Sequence, residues 1–250
     1  MTEPLIPEWS AGFAALDPET RLARLRASVE GEIVFTTSFG LEDQALTHII
    51  AGSGLDIAFA TLDTGRLFPE THEVWSRTQA RYGIRIRAVL PQTRAVETLI
   101  DSDGVDGFRA SIAARKACCA VRKIEPLGRA LAGARAWVTG LRADQSAGRS
   151  ALAFVARDAE RGLVKVNPLL DWTRARVAAF VATHDVPVNP LHQRGFLSIG
   201  CAPCTRAVPP GEPERAGRWW WESEAQKECG LHVDSAGRLV RAAPAREAAR

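Results

Sequence analysis

Three apolar runs, the first two each closed by a turn and followed by a helical segment, fix the class of fold open to this chain. Glu32 to Thr37 (EIVFTT), Ile57 to Leu62 and Ile84 to Leu90 are rich in branched and aromatic residues and read as buried strands. The first runs into Ser38-Phe39-Gly40-Leu41-Glu42-Asp43 and the amphipathic segment QALTHIIAG. The second ends in Asp63-Thr64-Gly65 before a helix over Phe68 to Tyr82. Strands alternating with helices of these lengths predict an α/β fold, a mostly parallel sheet with helices on both faces. Ligands of such sheets bind beyond the carboxyl ends of the strands, where SFGLED and LDTG both lie. A strand, a glycine-bearing turn and a helix also offer backbone N–H groups and a helix N-terminus to an anion.

The remaining segments extend the pattern. Asp17-Pro18-Glu19 starts a helix in a short helical preamble. Gly107 to Ala132 reads as mostly helical, with Pro126 opening a new helix. Trp137 to Thr139 is a short strand that opens into a loop over Gly140 to Ser150, whose Arg142 and Arg149 suit an anion clamp. Ala151 to Val155 and Leu163 to Val166 form a predicted hairpin, and a helix ends near His184. Beyond His192 the periodicity fades, and Pro209-Pro210-Gly211 marks a hinge-like loop. A helix over Glu214 to Glu224 would put Arg215 and Arg218 on one face.

Five cysteines divide as two, two and one. Cys201-x-x-Cys204 is a metal or cluster knuckle, because one turn aims both thiolates at one centre. Cys118 and Cys119 are adjacent within a basic run, and Cys229 stands apart beside Lys227 and His232. A lone thiol near basic groups is a candidate nucleophile, since the thiolate is the reactive form. With 250 residues, 46% apolar and 24% charged, the chain has an ordinary globular composition. A net charge of +3 gives little basis for a nucleic-acid partner, while arginine-dominated positive charge suits a small anion. The N-terminus carries no signal-peptide pattern and no stretch of 18 apolar residues occurs, so a membrane is not expected. Five cysteines without secretion cues then point to a reducing, cytoplasmic compartment, where paired thiols more often bind metal than form disulfides.

The set SFGLED, LDTG, KACCAVRK, GLRADQSAGRS, CAPC, ERAGRWWWE and KECGLH, in this order from about residue 32 to 232, resembles the assimilatory adenylyl-sulfate reductases of the wider phosphoadenylyl-sulfate reductase family. The resemblance implies a nucleotide α-hydrolase-like fold related to the ATP pyrophosphatases. It implies a nucleotide-binding domain over residues 1–200 and a segment over 201–250 that carries the CxxC pair and a flexible catalytic tail. The implied reaction converts adenosine 5′-phosphosulfate (APS) to sulfite and AMP with thioredoxin as donor, through an S-sulfocysteine on Cys229. A [4Fe–4S] cluster is implied on Cys118, Cys119, Cys201 and Cys204. Neighbouring cysteines seldom share a single zinc, whereas a cubane presents four separate corners.

The same resemblance sets Lys123 facing the sulfate near the cluster; Arg215 and Arg218 would join Arg142 and Arg149 in a sulfate and phosphate clamp, and His232 would contact the substrate or the Cys229 thiolate. Ser38, Gly40, Asp63, Thr64, Gly65, Arg142 and Arg149 are expected to hold the nucleotide. A reductase for the 3′-phosphorylated nucleotide (PAPS), or an iron–sulfur sensor without turnover, are the alternative readings. Oligomeric state is left open, a homo-oligomer included. His48, His72, His184 and His192 read as structural, and Trp219 to Trp221 are too consecutive to share one face.

Overall fold

A computed structural model describes residues 5–223. Two helices open the chain, α1 (Leu5–Phe13) and α2 (Pro18–Ser28). The second starts where Asp17 caps the Thr20 N–H at 2.9 Å and Pro18 supplies a preset φ. There follow β1 (Ile33–Thr36), α3 (Leu41–Ser53), β2 (Ala58–Leu62), α4 (Pro69–Tyr82) and β3 (Ile86–Val89). Next come α5 (Thr93–Asp103), α6 (Ile112–Cys119) and α7 (Glu125–Ala130), the last two joined by a π-helical turn over Ala120–Ile124. Then β4 (Ala136–Val138), β5 (Val155–Asp158), β6 (Leu163–Val166) and α8 (Arg174–Thr183) complete the regular elements.

The six strands lie in the order β3-β2-β1-β4-β6-β5, parallel except for the β5–β6 hairpin. Side chains alternate across the two central strands. Ile33, Phe35, Ala136 and Val138 face a core shared with Leu22, Leu25, Leu46, Ile50, Val177 and Val181 of α2, α3 and α8. Val34 and Trp137 face the opposite core, formed with Leu127 and Ala130 of α7. Helices therefore cover both faces, as the alternating pattern predicts. Strand order reverses between β1 and β4, so the loops after these two strands diverge and leave a crevice at their carboxyl ends.

Several expectations shift. The hairpin's first strand starts at Val155 rather than Ala151, because Arg149 to Ala153 belong to the loop that borders the crevice. Helix α5 lies in a stretch that sequence patterning left unassigned; none of its residues is buried. Glu214 to Ser223 is a run of turns, not a helix. There the Thr205–Arg218 bridge and the Arg206 N–H to Gly217 carbonyl bond (3.0 Å) hold the chain in a hairpin against the Cys201–Cys204 knuckle. Among the described residues no helix is long and apolar enough to cross a membrane. The flexible tail expected beyond residue 223 lies outside the described residues.

Candidate active site

The crevice between β1 and β4 opens into a cleft with about 1310 Å³ of empty space, its solvent-open mouth included. The loop after β1 lines it with Ser38, Phe39 and Gly40, the turn after β2 with Thr64, and the loop after β4 with Gly140 and Arg149. Lys123 reaches it from the π-helical turn, and Arg215 and Arg218 from the C-terminal hairpin. All four of these cations are largely buried, a setting that favours an anion. Asp63 and Gly65 do not line it. The Asp63 carboxylate accepts the Gly65 N–H at 2.9 Å, and Gly65 takes φ +69°, so both shape the turn that presents Thr64.

The N-terminus of α3 differs from a free anion site. Asp43 accepts the Ser38 N–H (2.6 Å) and the Ser38 hydroxyl (2.7 Å), filling the turn with the protein's own carboxylate. Burial pushes the Asp43 carboxyl up to about 6, against the two Ser38 bonds that favour its charged form, with Glu42 adding to the rise. Gly140 sits so close that a Cβ there would overlap the Asp43 carboxylate, which accounts for the glycine that opens GLRADQS.

Arg142, expected in the anion clamp, corrects that expectation. Its guanidinium is fully buried and donates to Glu42 (2.8 Å), Asp144 and Glu214 (2.7 Å), and it is not among the residues facing the cleft. Three carboxylates absorb its charge, so it ties α3, the loop after β4 and the C-terminal hairpin together. Arg149 does face the cleft, donating to Gln145 at 2.6 Å.

Behind the cleft lies a second, small cavity ringed by Cys118, Cys119, Cys201 and Cys204, with Arg66, Arg115, Arg122, Lys123, Phe108 and Trp219. None of these four cysteines is in a disulfide. Cys118 and Cys119 come from the end of α6, while Cys201 and Cys204 are seated because the Ala202 N–H bonds the Arg66 carbonyl at 2.8 Å. Burial raises the Cys118 thiol, and raises Cys204 to about 11 with help from Cys201. Burial also opposes ionisation of Cys201, yet Lys123, the Thr64 hydroxyl (3.3 Å from the sulfur), Arg218 and Arg122 outweigh it and lower its pKa. Among the described residues no three His, Cys, Asp or Glu side chains converge as one ion requires. Four thiols around a common cavity instead suit a polynuclear group with separate corners.

Lys123, Cys201 and Trp219 line both cavities. Of the three tryptophans, Trp219 is buried between the sites, Trp221 packs on Phe108 at 6.0 Å, and Trp220 is partly exposed. His192, read as structural, also lines the cleft. Its Nδ1 meets the Phe196 carbonyl at 2.8 Å and its buried Nε2 has no partner among the described residues. Burial lowers its pKa, which keeps it neutral near pH 7. A histidine in a single 3₁₀ turn (Pro190–Arg194) carries no periodic signal, so only the fold could bring it out. Glu214 lines the cleft too, and a turn-forming carboxylate gave no sign of that in the sequence. Cys229 and His232 lie outside the described residues.

The profile of the phosphoadenosine phosphosulfate reductase domain matches residues 32–207. A Rhizobium meliloti (strain 1021) protein named adenosine 5′-phosphosulfate reductase is 53% identical over 226 residues, covering 90% of this chain and 85% of that protein. The protein of that name from Allochromatium vinosum is 55% identical, covering 80% and 78%. Among solved structures, a phosphoadenylyl-sulfate reductase from Candida auris in a phosphate complex superposes with TM-score 0.71 at 24% identity, covering 83% of this chain and 98% of that one. An FMN adenylyltransferase from Candida glabrata, at TM-score 0.51 and 16% identity, covers 90% of this chain and 85% of that one, and it shares the fold.

Proposed function

The chain belongs to the phosphoadenosine phosphosulfate reductase family, and within it we propose that this protein reduces APS to sulfite and AMP with thioredoxin as electron donor. The observation that carries the reading is the wall shared by the two cavities. Lys123 stands in it, facing the cleft on one side and the four thiols on the other.

The Cys229 thiolate attacks the electrophilic sulfur of APS. A sulfur–sulfur bond forms, the bond from sulfur to the bridging oxygen breaks, and AMP leaves with that electron pair. A thioredoxin thiolate then attacks the Cys229 sulfur and sulfite departs with two electrons. The second thioredoxin thiol closes the donor's disulfide, which releases the Cys229 thiolate. Lys123, Arg215 and Arg218 compensate the sulfate and Arg149 the phosphate, in a buried setting where such contacts count for more than in water. His232 is assigned to the same site through KECGLH. Ser38, Gly40 and the turn of Asp63, Thr64 and Gly65 shape the nucleotide end, with Arg142 holding the wall behind it.

The thiols of Cys118, Cys119, Cys201 and Cys204 would hold a [4Fe–4S] cluster, which would supply a fixed electrostatic and positioning element beside Lys123. Cysteines outside any disulfide suit the reducing cytoplasm. The relatives named adenosine 5′-phosphosulfate reductase, at 53% and 55% identity, support APS over PAPS. The test is labelled APS with enzyme and no reductant. Label should stay on Cys229, leave as sulfite on adding thioredoxin, and be absent in Cys229→Ser. Undiminished sulfite formation by that variant would refute the scheme.

A further inference from the structure

The cleft and the thiol cavity meet at Trp219, whose left-handed backbone (φ +42°) is unusual for a large side chain and so must be imposed by its surroundings. The ring meets two guanidinium groups. Arg115 lies 4.6 Å from its centroid and Arg218 lies 4.8 Å. Arg218 faces the cleft, and its buried Nε has no partner among the described residues. Arg115 faces only the thiol cavity. It donates to Glu222 through Nε (2.9 Å) and Nη2 (2.8 Å), a bidentate pair with both side chains almost wholly buried. The Glu222 N–H in turn bonds the Trp219 carbonyl at 2.8 Å, closing a ring of contacts around the tryptophan.

A buried ion pair adds little stability over apolar residues of the same shape, so position is its most natural use. Building on the reading above, we propose that Arg115 and Glu222 are a positioning pair. They seat the Trp219–Arg218 wall against the sulfate end of the substrate and fix the point from which the chain runs on to Cys229. Cys229 lies seven residues beyond Glu222, within reach of about 25 Å if fully extended.

The two roles are separable by magnitude. Without the pair, Trp221 on Phe108 still holds this segment, eight residues before Cys229. Effective concentration falls roughly as the −3/2 power of tether length, so that change alone costs less than about twofold. A misplaced Arg218 costs much more, because a shift of about 1 Å in a charged contact can slow chemistry by up to about a hundredfold.

The experiment uses the full-length holoenzyme with Glu222→Gln, Glu222→Asp, and an insertion of three glycines after Ser223 that leaves the pair intact. AMP, which lacks the sulfate, reports the nucleotide end by its Kd. Transfer of label from APS to Cys229 without reductant reports the sulfate end. We expect AMP affinity within about twofold of parental throughout. Transfer should slow about tenfold or more in Glu222→Gln, less in Glu222→Asp, and about twofold in the insertion. Transfer at the parental rate in Glu222→Gln overturns the inference alone. So does an AMP affinity that falls by the same factor as the rate, or an insertion as costly as Glu222→Gln. A parental protein that takes no label overturns the sulfocysteine reading, and this inference with it.

Discussion

At the scale of single residues, Asp43 makes stability depend on pH. Its carboxyl is raised from 3.8 to about 6 by burial, so the folded state holds a proton that the unfolded chain gives up. The stability it contributes is complete below pH 4 and is lost as pH rises through 6. Asp43→Asn keeps an oxygen for the Ser38 N–H and hydroxyl while removing the charge. The variant's melting temperature should match parental near pH 4 and exceed it at pH 7, by up to about 3 kcal/mol in stability. A parallel pair of melting curves across that range would contradict the assignment. Lys123→Ala should lower kcat/KM for APS by about 2–4 kcal/mol of transition-state binding and leave AMP affinity nearly unchanged. Steady-state kinetics with AMP as competitor separates the two. Lys123, Arg215 and Arg218 were legible because their motifs stand out along the chain. His192 was not, since its neighbours in space are distant in sequence.

At the scale of elements, the π-helical turn over Ala120–Ile124 decides how the thiols relate to the cleft. It adds a residue to the helical path between Cys119 and α7, so Lys123 faces both cavities while Leu127 and Ala130 keep their core face. Deleting Ala120 removes about 100° of rotation between the two ends. The variant should retain its circular dichroism but bind substoichiometric iron and fail to turn over APS; iron analysis checks the first loss. The sequence indicates a helix through this stretch and a restart at Pro126. It does not indicate the widened turn, because π geometry is set by packing at both ends rather than by local propensity. Helix α5 carries no motif and stands at the edge of the pattern, its apolar face of Ala95, Val96 and Leu99 only half-buried.

At the scale of the whole molecule, Arg142 links three segments through Glu42, Asp144 and Glu214. Replacing it with methionine strands buried carboxylates and should cost about 3–5 kcal/mol of stability. At roughly 2–4 °C per kcal/mol for a chain of this size, calorimetry should find a fall of about 10 °C. A melting temperature held constant alongside a raised KM for APS would return Arg142 to the anion clamp. The alternation of strands with helices, the division of the cysteines and the order of the motifs were determined by the sequence. Each rests on local periodicity or on chemistry carried by adjacent residues. Which cations face the cleft, which are absorbed by carboxylates, and that two cavities share one wall were decided only by the tertiary structure. A side chain's electrostatic partners come from whichever distant segments the sheet order brings beside it, and nothing local to Arg142 or Arg149 distinguishes the two outcomes.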